Sequence, residues 1–76
     1  MNEDLKRILT VELNLDDAAL HPGTSLEDAG IDSLSVVELS VHLSDQLGLD
    51  ISEEELQSAA SVGELDRMIE QRRRNN

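Results

Sequence analysis

"AGIDSLSVVEL", residues 29–39, reads as the entrance to a helix. The Asp32 side chain can accept from the backbone N–H groups that open a helix. From there apolar residues recur at Val36, Leu39, Leu43 and Leu47, a stripe of helical period, and Gly48 follows as a stop. At about 100° per residue, Leu34, Val37 and Val41 fall in the opposite sector, together with Glu38 and Asp45. The first set is wider and heavier, so it is assigned to the core. The second set either packs under the loop before the helix or faces outward as an apolar patch rimmed by charge, a common mark of an interaction site. Ser33, one of eight serines in the chain, lies directly after the cap. Backbone amides and the helix dipole favour an anion there, with Asp32 opposing it.

Outward from this stretch the pattern stays helical. Asn2 is placed to cap a first helix, with Leu5, Ile8, Leu9 and Leu13 as its stripe, Glu12 as a flaw in it and Asn14 at its end. A connection from about Leu15 to Ile31 contains the turn signal His21-Pro22-Gly23. So long a loop in a small domain is expected to be functional or held down by its own apolar residues, here Leu15, Leu20, Leu26 and Ile31. Ser52 with Glu55, and Ser61 with Glu64, have the spacing of capping boxes for a short third and a longer fourth helix. Val62, Leu65 and Ile69 form the fourth stripe. Arg72, Arg73 and Arg74 read as a short basic tail from about 72, placed where cations complement the helix dipole. No segment alternates with period two. The expected fold is all-α: a four-helix bundle of three longer helices and one short one, with a long first loop, forming one domain over 1–76.

Composition narrows the function. The chain has 76 residues, a net charge of −11, no cysteine and no aromatic residue. Without cysteine there is neither a disulfide framework nor a thiolate metal site. Without aromatic residues there are no platforms for base stacking, and the negative charge repels phosphates, so nucleic acid is excluded as a partner. No run is apolar enough to span a membrane and no start resembles a signal peptide, so a cytoplasmic protein without membrane association is expected. The charge is uneven. Residues 1–66 carry 16 acids against Lys6 and Arg7, a balance of −14, whereas residues 67–76 carry four arginines and Glu70, a balance of +3. Such a body either serves solubility or steers partners with basic surfaces.

"GIDSLSVVEL", Gly30–Leu39, resembles the phosphopantetheine attachment motif of acyl carrier proteins, with its Asp-Ser-Leu core. The resemblance extends over nearly the whole chain, through helix order, the long first loop with "TSLEDAG", and "ISEEEL…SVGEL" afterwards. It implies that Ser33 is the covalent attachment point of 4′-phosphopantetheine, donated by coenzyme A through a phosphopantetheinyl transferase. It implies that Asp32 and Leu34 complete that site, and that the thiol of the arm carries acyl or aminoacyl groups as thioesters. Leu34, Val37, Glu38 and Val41 match positions that meet partner enzymes in the family. The helix carboxylates, Asp45 among them, would face arginines and lysines of a ketosynthase, acyltransferase or other pathway enzyme. The resemblance implies a monomeric carrier that is itself no enzyme. Ser35, Ser40, His42 and Ser44 make this helix less acidic than in a typical bacterial fatty-acid carrier, and Ala59 and Ala60 stand where bulkier residues are common. These departures point to polyketide or mixed polyketide and peptide biosynthesis, with fatty-acid synthesis and peptidyl transport as alternatives.

Other classes fit less well. An enzyme needs a nucleophile beside a base, or a metal. His42 is more than about 10 Å along the helix axis from Ser33, and His21 sits in a turn, so both read as surface histidines and no catalytic residue is assigned. An EF-hand loop started at Asp28 would put Gly30 at its third position and Ser33 at its sixth, against the oxygen ligand and the glycine it requires, so no metal site is assigned. An acidic interaction module without a prosthetic group would explain the charge but not the Asp-Ser-Leu at a helix start.

Overall fold

Asn2 opens the first helix as expected: its side-chain oxygen accepts from the N–H groups of Asp4 at 2.8 Å and Leu5 at 3.2 Å. The structure, a computed structural model, describes residues 2–74. Helix α1 spans Glu3–Arg7 and runs on into a π-helical segment, Ile8–Glu12. The wider turn accounts for the flaw in the stripe. An α-helical register would bring Glu12 onto the face of Leu5, Ile8 and Leu9; the extra residue in the turn leaves Glu12 exposed and packs Leu13 against the core instead. Asn14 stops the helix in the left-handed region, at φ 57°.

The long connection is pinned rather than free. It contains a short 3₁₀ turn at Asp17–Ala19, capped by Asp16. Leu20, Ala29 and Ile31 are buried, and Leu15 and Leu26 pack against the core. The loop also completes another helix. The Val62 N–H donates to the Thr24 carbonyl at 2.8 Å, and the Gly63 N–H to the Pro22 carbonyl at 2.9 Å. These are amides that a helix start leaves without an internal partner.

Helix α2 spans Ser33–Leu47, α3 Glu53–Gln57 and α4 Val62–Arg74. The result is the expected all-α, four-helix arrangement with one short helix. Gly48 ends α2 at φ 66°, its N–H donating to the Ser44 carbonyl at 3.2 Å, and the Leu49 N–H closes back on the Leu43 carbonyl at 3.1 Å; this left-handed glycine cap turns the chain so that Leu49 is buried. The two capping boxes form only in half. Ser52 and Ser61 each accept from the N–H three residues on, both at 3.2 Å. Glu55 instead meets Arg72, and Glu64 accepts from the Ala60 N–H at 2.7 Å. Arg72, Arg73 and Arg74 form the last turn of α4, and they do more than complement a dipole: Arg73 lies 3.4 Å from Asp4 of α1.

The core is aliphatic throughout. Leu5, Ile8, Leu9, Leu39, Leu43, Leu56, Leu65 and Ile69 have no exposed surface, and among the described residues no polar side chain is buried. No helix among them is long and apolar enough to cross a membrane.

Candidate functional site

The start of α2 is fixed from both sides. Upstream, Ala29 and Ile31 are buried, and the Ile31 N–H donates to the Leu26 carbonyl at 2.8 Å. Between them Gly30 sits at φ 87°, a conformation costly for any residue with a Cβ. Downstream, Asp32 is the cap: its carboxylate accepts from the Ser35 N–H at 2.8 Å. The Ser35 backbone and side-chain hydrogen bonds hold the Asp32 carboxyl below the usual carboxylate range. Ser33 is therefore the first helical residue, and it is exposed.

Beside Ser33 a shallow cleft of about 370 Å³ opens between the end of the first loop, α2 and the residues after α3. Ile31 and Val36 form its apolar floor, and Gln57, Ala59 and Ala60 its far side. The two alanines that stood out in the sequence thus face the same space as Ser33.

The outer face of α2 settles the choice left open by periodicity. Val36, Leu39 and Leu43 are buried, while Leu34 is 66% exposed, Val41 59% and Val37 37%. Glu38 and Asp45 lie exposed on that same face. The stripe is not covered by the loop. It is an open apolar strip with carboxylates along it, beginning one residue after Ser33.

Both histidines stay away from Ser33. His21 is exposed in its turn, and His42 lies 3.8 Å from Glu12 and 3.2 Å from the Gln46 amide. Neither histidine is placed to take the Ser33 proton, the neighbouring Asp32 carboxylate is engaged as the helix cap, and among the described residues no three metal-ligating side chains converge. Two features escaped the sequence reading. Val11, 63% exposed, adds an apolar side chain outside α2; it lies off the α1 stripe, and an isolated residue carries no periodic signal. Arg72 reaches across to α3, with a hydrogen bond from its guanidinium to the Asp50 carbonyl at 2.8 Å and another to the Glu55 carboxylate.

The site is thus an exposed hydroxyl at a helix N-terminus, beside the capping carboxylate of Asp32, a cleft and an open strip edged by carboxylates. It suits a group attached by another protein. The comparisons with known proteins agree with that chemistry. Residues 3–69 match the family model described as the phosphopantetheine attachment site. An acyl carrier protein of Helicobacter pylori is 35% identical over 69 residues, covering 90% of this chain and 88% of the relative. An acyl carrier protein of Wolinella succinogenes has the same identity over 90% of this chain and 91% of its own length. The chain belongs to the acyl carrier family: it is a non-catalytic carrier for acyl groups, with 4′-phosphopantetheine as its covalent prosthetic group.

Proposed function

We propose that Ser33 is the attachment point and that the face of Leu34, Val37, Glu38, Val41 and Asp45 docks the enzymes that modify the carrier and use its cargo. The observation that carries this is the placement of Ser33: an exposed hydroxyl at the first position of α2, continuous with the open strip. The prosthetic group supplies a thiol on which acyl groups ride as thioesters. The residues of this chain hold and display it. The helix N-terminus favours the phosphate that would be bonded to the Ser33 oxygen, and the side chain has no buried surroundings to obstruct a transferase. Both histidines lie away from Ser33 and Asp32 is engaged as the cap, so the Ser33 proton would pass to a base on the transferase, with adenosine 3′,5′-bisphosphate as the leaving group of coenzyme A. The strip then offers apolar contacts at its centre and carboxylates for arginines and lysines of a ketosynthase or acyltransferase, which steer encounter more than they add affinity. The cleft floored by Ile31 and Val36 is the room in which cargo shelters between encounters.

The pathway proposed is polyketide or mixed polyketide and peptide biosynthesis, carried out by a monomeric carrier in the cytoplasm. Ser35 and Ser44, with His42, keep α2 poor in carboxylates, which supports this reading. Ser40 drops out of that argument, since its hydroxyl donates to the Ile51 carbonyl at 2.9 Å and so has a structural role.

The test is intact-protein mass spectrometry after incubation with coenzyme A, magnesium and a broad-specificity phosphopantetheinyl transferase. Wild type is expected to gain one phosphopantetheine and Ser33→Ala none. A folded wild type that gains nothing would turn the assignment toward an acidic interaction module. Faster turnover of the loaded protein by a fatty-acid ketosynthase than by a polyketide one would overturn the pathway.

A further inference from the structure

The cleft beside Ser33 has one firm wall and one weak one. Helix α2 is four turns long and buries Val36, Leu39 and Leu43. Helix α3 has five residues, of which only Leu56 is buried. A helix so short has no stability of its own in water, so its position is set by what ties it down. Immediately beyond it lie Ala59 and Ala60, on the far side of the cleft.

The polar ties are few and specific. Ser40 holds the Ile51 carbonyl at 2.9 Å. Arg72 holds two points at once: the Asp50 carbonyl at 2.8 Å and the Glu55 carboxylate. The base of this clasp is firm, because Ile69, one turn earlier on α4, is fully buried. The three carboxylates of α3, Glu53, Glu54 and Glu55, follow one another directly. Among the described residues Arg72 is the cation paired with any of them. A planar guanidinium can serve a carbonyl and a carboxylate together; an ammonium is a single point charge and serves the pair less well.

We propose that Arg72 is the positioning residue for α3, and that its clasp sets how readily the cleft beside Ser33 opens to cargo. Releasing it frees α3 to swing while α2 and α4 keep their places in the core. The part about cargo rests on the carrier reading of Ser33 and the cleft; the part about α3 does not.

The experiment therefore has two readouts. Amide exchange is measured on the unmodified protein for wild type, Arg72→Gln, Arg72→Lys, Glu55→Gln and the double variant Arg72→Gln/Glu55→Gln. A charge-assisted hydrogen bond lost from α3 corresponds to about tenfold faster exchange. The Leu56 and Ser58 amides should show it in Arg72→Gln, with α2 and α4 unchanged. Arg72→Lys should restore only part of the protection, and the double variant should exchange no faster than Arg72→Gln alone. Unchanged exchange in α3, or equal acceleration in all helices, overturns the proposal. The second readout is the emission of a solvatochromic acyl group carried on the arm. It should move toward its aqueous wavelength in Arg72→Gln and return partly in Arg72→Lys; emission that stays put while α3 exchanges faster overturns the link to cargo. If Ser33 accepts no arm, the carrier reading fails, and the exchange data still decide whether Arg72 positions α3.

Discussion

Asp32 does two opposed things. As the cap it holds the first turn of α2 in place; as a carboxylate it sets a negative charge next to the hydroxyl proposed to receive a phosphate. The hydrogen bonds from Ser35 favour its ionised form, so the carboxyl titrates below the usual range. A folded-state pKa below the unfolded one gives stability that is complete above the unfolded value and is lost as pH falls through the folded value. The start of α2 should therefore stay ordered as pH drops through the ordinary carboxylate range and fray only in stronger acid. A carboxyl titration followed by NMR, read beside exchange of the Ser35 amide, checks this. Asp32→Ala should lower the melting temperature by a few degrees and remove that acid dependence of the Ser35 amide. A midpoint at or above the ordinary value would contradict it.

At the scale of elements, the junction of the first loop with α4 is closely packed. A Cβ placed on Gly63 would lie 2.8 Å from the Pro22 carbonyl oxygen, a backbone atom that cannot swing aside. Gly63→Ala should destabilise by about 1–3 kcal/mol, the range for overpacking, although alanine is the better helix former. Thermal unfolding beside Gly23→Ala, where a Cβ meets nothing within 4 Å, separates the clash from the general effect of replacing glycine. This junction also shows where the sequence stops being legible. The helices could be read because caps at Asn2, Asp32, Ser52 and Ser61, the Gly48 stop and the α2 stripe act within a few residues of themselves. The exposed site on α2 could be read for the same reason. Thr24 with Val62, Pro22 with Gly63 and Arg72 with Glu55 join distant parts of the chain through backbone carbonyls or single side chains, and such contacts leave no period behind. The π-helical turn left only a hint, in the misplaced Glu12.

Over the whole molecule the charge is strongly unbalanced. The radius of gyration is 10.9 Å, close to the ~11 Å expected for a folded chain of this length, so a net charge of −11 is gathered on a small body. The ion pairs present, such as Lys6 with Asp17 at 3.3 Å and both side chains more than half exposed, offset little of this repulsion. Added salt should stabilise the fold by screening it. From 10 to 150 mM sodium chloride the melting temperature should rise, by about 4–8 °C for each kcal/mol relieved. A melting temperature that is flat or falls over that range would show that local pairs outweigh the net charge.

The stitching of Asn2 to α4 has a topological consequence. The Asn2 N–H donates to Asp66 at 2.9 Å, its amide group to Glu70, and Arg73 reaches Asp4. The chain therefore enters the fold beside the helix by which it leaves. Arg72 in turn holds the carbonyl of Asp50, just past the far end of α2, and the 15 residues of that helix put Ser33 about 20 Å away along its axis. Entry and exit thus share one pole and Ser33, the proposed attachment point, occupies the other. A domain wired in this way can be spliced into a longer polypeptide like a bead on a stalk, with both leads arriving from behind and the loaded end left free to pivot between neighbours.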